Sequence, residues 1–108
     1  MKSGSLSGVW TGTAHHNTGW DMDITISISE PFQAGSTLGI FSIPTIPCSG
    51  TFRIVSIRGE TLELKAENQQ GDCGEADSDS LELLSDETLL YVSKGDGWEA
   101  RGILRRVS

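Results

Sequence analysis

The stretch WDMDITISIS, from Trp20 to Ser29, alternates apolar and polar side chains along its whole length. Successive side chains of a β-strand point to opposite faces of the sheet, so this pattern predicts a strand with one buried face and one wet face. A helix would instead need apolar residues three and four positions apart. The stretch therefore predicts a half-buried β-strand.

The same alternation extends outward from this stretch. ETLELKAE (60–67) and DSLELLS (79–85) repeat it, and TFRIVSI (51–57) and TLLYVSK (88–94) are rich in β-branched and aromatic residues that favour strands. No segment repeats apolar residues at helical spacing over three turns. The sequence predicts strands over residues 6–14, 20–29, 37–43, 50–57, 60–67, 80–85, 88–94 and 98–106.

The connections between these strands are mostly short, which favours antiparallel neighbours along the chain. About eight such strands bury their inward side chains only if the sheet closes, so we predict an all-β fold, an antiparallel up-and-down barrel. Such a barrel is just wide enough to be filled by side chains or to hold one small ligand. We expect a single domain over 6–108, preceded by a disordered or cloning-derived start over 1–5.

The inward face of the predicted strands should form the core. Two of the large aromatics, Trp20 and Trp98, fit either this core or the wall of a ligand cavity, and so does Tyr91. The predicted core comprises Trp10, Ile24, Ile26, Ile28, Leu38, Ile40, Phe52, Ile54, Leu62, Leu64, Leu81, Leu83, Leu89, Tyr91 and Leu104.

The two ends of the chain carry a family pattern. Gly8-Val9-Trp10 lies on the first predicted strand, and Arg105 and Arg106 lie late on the last. This pattern resembles the calycins, which include lipocalins, fatty-acid-binding proteins and avidins. The resemblance implies a β-barrel whose late arginine packs across the tryptophan and plugs one end. Arg106, on the same face as Leu104, is the better candidate for that contact, and Arg105 is the alternative.

The composition excludes some partners. The chain has 108 residues, of which 36% are hydrophobic and 21% charged, and its net charge is −7. A negative chain repels phosphate groups, so we expect no nucleic-acid partner. No apolar run approaches the length of a membrane helix, so we expect no membrane insertion.

Two cysteines, Cys48 and Cys73, are spaced too widely for a CxxC redox or zinc motif. Both lie in polar, glycine-flanked segments just outside a predicted hairpin, so they fall at the same end of the barrel. They either form one disulfide or remain two free thiols. A disulfide would favour an extracytoplasmic or secreted location.

Other polar residues give weaker indications of chemistry. His15 and His16 are adjacent, so on a strand they point to opposite faces, and we interpret them as solvated turn residues. The segment 72–79 is acidic and could offer oxygen ligands to calcium, but its spacing is not that of an EF-hand, and we interpret it as a solvated loop. We therefore expect no metal and no cofactor.

No nucleophile, base and orienting group can be named together, so we expect no catalytic residues and no enzyme. The leading hypothesis is a non-catalytic binding or sensor module, either on its own or as one domain of a larger protein, with a small apolar ligand or a protein as its partner. The alternatives are a carrier of small hydrophobic ligands, as in lipocalins, and a metal-assisted enzyme at the barrel mouth.

Overall fold

A computed structural model of the chain describes residues 6–29 and 32–107. The predicted start over 1–5 lies outside the described residues. None of the described residues belongs to a helix that could span a membrane. The strands are β1 (Gly8–His16), β2 (Trp20–Ile28), β3 (Thr37–Ile43), β4 (Cys48–Arg58), β5 (Thr61–Gly71), β6 (Ser78–Ser85), β7 (Thr88–Gly95) and β8 (Trp98–Arg106).

Each strand pairs antiparallel with the next along the chain, and β8 pairs with β1 to close the barrel. The predicted all-β, up-and-down barrel of eight strands is therefore confirmed. In the closing pair, Trp10 lies opposite Arg106 and Gly12 lies opposite Leu104. A Cβ atom at Gly12 would lie 2.3 Å from the carbonyl oxygen of Ile103, so the close approach of β1 and β8 requires glycine there.

The core lies inside the barrel and contains most of the residues predicted for it. The prediction that Ile40 belongs to the core is wrong, because its side chain is 61% exposed. Leu83, also predicted for the core, is only half-buried. The cause at Ile40 is a shift in register between Thr37 and Gly39. Since a bulge reverses which alternate side chains point inward, Phe41 is buried in place of Ile40.

One end of the barrel is closed by Trp10, whose side chain is fully buried. Its Nε1 donates a hydrogen bond to the carbonyl oxygen of Leu6 at 2.9 Å. The guanidinium carbon of Arg106 lies 4.3 Å from the centroid of the indole. Arg106 also donates from Nε to the carbonyl oxygen of Asp86 (3.1 Å) and from Nη1 to that of Ser7. Of the two candidate arginines, Arg106 is the one placed over the tryptophan, while Arg105 is exposed.

The opposite end carries the disulfide. Cys48 and Cys73 form a bridge with their Cα atoms 4.9 Å apart. Cys48 is the first residue of β4, and Cys73 lies in the connection that follows β5, whose last residues pair with the start of β4. The bridge therefore ties the long β5–β6 connection to the wall of the barrel.

Candidate ligand-binding site

A cavity of about 290 Å³ opens at the end of the barrel opposite Trp10. All eight strands contribute to its wall: β1, β3 and β5 near their ends, β2, β4, β6 and β8 near their starts, and β7 near its middle. Two aromatic rings of the apolar wall, those of Phe41 and Phe52, stack with their centroids 4.4 Å apart. The remaining lining residues are His16, Trp20, Met22, Ile43, Ile46, Cys48, Ala66, Gln69, Asp72, Gly74, Ala76, Asp79, Tyr91, Ser93 and Trp98.

At this end of the barrel β5 extends beyond the start of β6. Their pairing runs only from Thr61 opposite Glu82 to Leu64 opposite Asp79, although β5 continues to Gly71. A second hollow, of about 520 Å³, lies beside β5 and the β5–β6 connection and shares Asp79 with the cavity. Side chains therefore do not fill the barrel at the open end as they do near Trp10.

Three aromatic rings stack at the mouth of the cavity. The imidazole of His16 lies between two indoles, with centroids 4.7 Å from Trp20 and 5.1 Å from Trp98. The backbone N–H of Thr18 donates to Nδ1 of His16 at 3.2 Å. Because that nitrogen accepts, the neutral ring carries its proton on Nε2.

The two histidines have different environments. His15 is exposed on the outer face, where its Nδ1 lies 2.6 Å from a carboxylate oxygen of Asp21. The interpretation of His16 as a solvated turn residue is wrong, because its ring is half-buried between the indoles. β1 extends to His16, two residues further than predicted, and so turns this side chain inward.

The three residues predicted for ligand binding, Trp20, Trp98 and Tyr91, all line this one cavity. Trp20 is 38% exposed, so it belongs to the mouth rather than to the core. Tyr91 is buried and belongs to both the core and the cavity wall. Their role in binding remains a prediction, but their position around a common space is a feature of the fold.

A buried carboxyl group, that of Asp79, lies in the same wall. Only 5% of the residue is exposed, and it lies on β6 between Leu64 of β5 and Ser93 of β7. Burial raises the pKa of Asp79, and side-chain hydrogen bonds with Ser93 and Tyr91 partly counteract that effect. Burial and the nearby Asp79 charge raise the pKa of Tyr91. The carboxyl group is thus held in a place that disfavours its charge.

The sequence interpretation of Asp79 as part of a solvated acidic loop is wrong. The residue shares the alternation of DSLELL, in which Asp79 and Leu81 point to the same, inward face. The alternation in the sequence therefore indicated an inward side chain, but the acidic residues before Asp79 favoured the interpretation as a loop. The earlier acids Asp72, Glu75 and Asp77 are exposed. Among residues 6–29 and 32–107, no three or more His, Cys, Asp or Glu side chains are grouped as a metal site would require.

The fold and the site together define a closed, eight-stranded antiparallel β-barrel with one plugged end and one open, cavity-bearing end. Comparison of the chain with family models, with curated proteins and with solved structures found no match.

The burial of Asp79 leads to a prediction about stability. The native pKa lies above the unfolded value near 3.8, so native Asp79 binds its proton more tightly than the unfolded chain does. Ionisation therefore reduces stability as the pH rises from about 3.8 through the native pKa, and the loss is complete above it. We expect Asp79→Asn to raise the free energy of unfolding at pH 7 by on the order of 1 kcal/mol.

Urea unfolding of both proteins at pH 7 and pH 3 measures this effect, with the advantage of Asp79→Asn disappearing at the lower pH. The other titratable side chains of the cavity wall, His16, Asp72 and Tyr91, are present in both proteins, so their contribution largely cancels. The control is Glu82→Gln, which removes the same charge from the exposed face of β6. Equal stability changes in the two variants would contradict the prediction.

Proposed function

We propose that this chain is a non-catalytic binding or sensor module of calycin type, which takes a small molecule into the open end of its barrel. The observation that supports this most is the cavity of about 290 Å³ lined by Trp20, Trp98 and Tyr91. Small-molecule sites are typically concave and mostly apolar, with a few placed polar groups. The volume lies just below the roughly 300–1,000 Å³ usual for such sites, so the ligand is compact.

The calycin assignment is supported by the plugged end. Trp10 lies near the start of the first strand and Arg106 at the end of the last, with the guanidinium over the indole. In the calycin pattern these two residues close one end of the barrel. The cavity of this chain lies at the other end.

A binding role is favoured over catalysis by the environment of the polar groups. Ser93 is buried, and its side chain interacts with the Asp79 carboxyl group rather than with a histidine. A nucleophile needs an adjacent base and access to substrate. A second candidate, a carrier of small hydrophobic ligands, is favoured by the apolar part of the wall, which includes Met22, Phe41 and Phe52.

The disulfide bears on the compartment in which the proposed module acts. Disulfides such as Cys48–Cys73 persist in oxidising compartments and are rare where thiols are kept reduced. The proposed module therefore acts in an extracytoplasmic or secreted setting.

The indole N–H groups of the three tryptophans report ligand entry. Addition of compact neutral, cationic and anionic compounds to ¹⁵N-labelled protein should shift the signals of Trp20 and Trp98, which line the cavity. The signal of Trp10, buried at the other end and hydrogen-bonded to Leu6, should not move. Two-dimensional ¹H–¹⁵N spectra measure this directly.

A pair of alanine variants provides the control. Trp20→Ala removes part of the cavity wall and should weaken binding by roughly tenfold, the effect of losing a moderate contact residue. Ile40→Ala removes an exposed apolar side chain from the outside of the barrel and should leave binding unchanged. If no class of compound shifts Trp20 and Trp98 in the wild-type spectrum, the proposed function is wrong.

A further inference from the structure

We propose that the ligand of this cavity is a small organic cation, an ammonium or guanidinium group on a compact apolar body, with Asp79 as its anchor. The inference rests on the proposed binding function and specifies its ligand class. It depends on the Asp79 side chain, the aromatic mouth and the overall charge.

Asp79 is a buried acid whose side-chain partners are hydroxyl groups. Tyr91 and Ser93 interact with its carboxyl group, and the ion pairs found among the described residues do not include it. Buried charges in proteins are usually paired, because an unpaired charge loses its hydration without compensation. A cation in the cavity would supply the missing partner.

The remaining walls indicate an organic rather than an inorganic cation. Calcium and magnesium require six or more oxygen ligands, whereas Asp79 lies in a wall shared with Phe52 and Met22. Apolar walls of this kind pack against hydrocarbon, so the charge belongs at one end of the ligand and an apolar body at the other.

The aromatic mouth favours the same ligand class. Trp20 and Trp98 line the space that Asp79 lines, and indoles are the best aromatic partners of ammonium and guanidinium groups. The His16 ring between them accepts a hydrogen bond at Nδ1 and in that form is neutral, so it does not repel a cation. The net charge of −7 attracts cations to the protein and disfavours anions.

Three compounds of similar shape test the inference by isothermal titration calorimetry. They are 2-phenylethylamine, 2-phenylethanol and 3-phenylpropionate, which share a phenyl ring on a two-carbon chain and differ in charge. We expect the amine to bind at least about tenfold tighter than the alcohol, since hydrogen bonds with charged groups are stronger than neutral ones. We expect the carboxylate to bind most weakly.

Two variants with the same net charge identify the anchor. Asp79→Asn should abolish the preference for the amine over the alcohol, while Glu82→Gln, on the exposed face of the same strand, should retain it. This pattern would support the inference. Urea unfolding of Asp79→Asn checks that the variant is folded.

Two results would overturn the inference. If the alcohol binds as tightly as the amine and shifts the Trp20 and Trp98 signals, the site is a neutral one, and the proposed binding function stands without its cationic ligand. If the amine preference survives Asp79→Asn, the cation is held elsewhere. Failure of every class of compound to shift those signals would instead overturn the proposed function itself.

Discussion

Replacement of Trp10 by alanine is expected to lower the free energy of unfolding by about 3–5 kcal/mol, the usual cost of removing a fully buried large aromatic side chain. Trp10 is fully buried, and its loss would leave a void at the closed end of the barrel. The change would also remove the indole N–H that donates to the carbonyl oxygen of Leu6, and the ring over which Arg106 lies. A small domain has a total stability of only about 5–15 kcal/mol, so this one change should bring it close to unfolding.

Urea unfolding of Trp10→Ala beside Trp20→Ala measures the effect, because the two variants lose the same atoms from opposite ends of the barrel. Trp20→Ala should lower the free energy of unfolding by much less, because Trp20 is 38% exposed. Trp10→Phe retains a ring under Arg106 but loses the hydrogen bond with Leu6, and should fall between the wild type and Trp10→Ala. A loss below about 1 kcal/mol for Trp10→Ala, the range of ordinary surface changes, would show that Trp10 does not plug the barrel.

Removal of the disulfide is expected to have the second largest effect on stability. The bridge joins residues 25 positions apart. In the loop-entropy account, a closure of that length contributes about 3.5 kcal/mol by restricting the unfolded chain. We therefore expect Cys48→Ala/Cys73→Ala to lower the free energy of unfolding by about 2–4 kcal/mol. Its denaturant m-value should rise, because the unfolded chain becomes more expanded.

Reduced wild-type protein is the matched control, and it should unfold with nearly the same midpoint as the double variant. The sequence contains two cysteines, so reduction affects this bridge alone. Because Cys48 lines the cavity and Cys73 ties down the β5–β6 connection, affinity for the proposed ligand should also fall. Identical stability of the oxidised wild type and the double variant would contradict the expected contribution of the bridge.

The two ends of the barrel differ in how their residues affect stability. The closed end contains Trp10 with its contacts to Arg106 and Leu6. At the open end, β5 extends beyond the start of β6, and Asp79 is buried in a place that disfavours its charge. Residues that destabilise a fold often occur at sites kept for function. If the proposed binding role of Asp79 holds, the expected gain in stability from Asp79→Asn and its expected loss of amine selectivity are one case of this trade-off.

Sequence patterning predicted the strands well because each strand has one buried and one wet face. Local pattern could not reveal the bulge near Gly39, which moved Phe41 rather than Ile40 into the core. A bulge arises from the pairing of a strand with its neighbours, and the sequence of the strand alone does not determine that pairing. Asp79 is a different case, because the alternation with Leu81 placed it on the inward face, whereas its contact with Ser93 depends on β7 across the sheet.

The sequence by itself determined an all-β chain, its eight strands in order, and the positions of Trp10 on the first strand and Arg106 on the last. It could do so because alternation and turns are local properties of the chain. Only the tertiary structure decided that Arg106 rather than Arg105 covers the indole. It alone brought His16 between two tryptophans and Asp79 into one cavity with them. The contact of His16 with Trp98 joins the first and last strands, and it exists only once β8 has closed on β1.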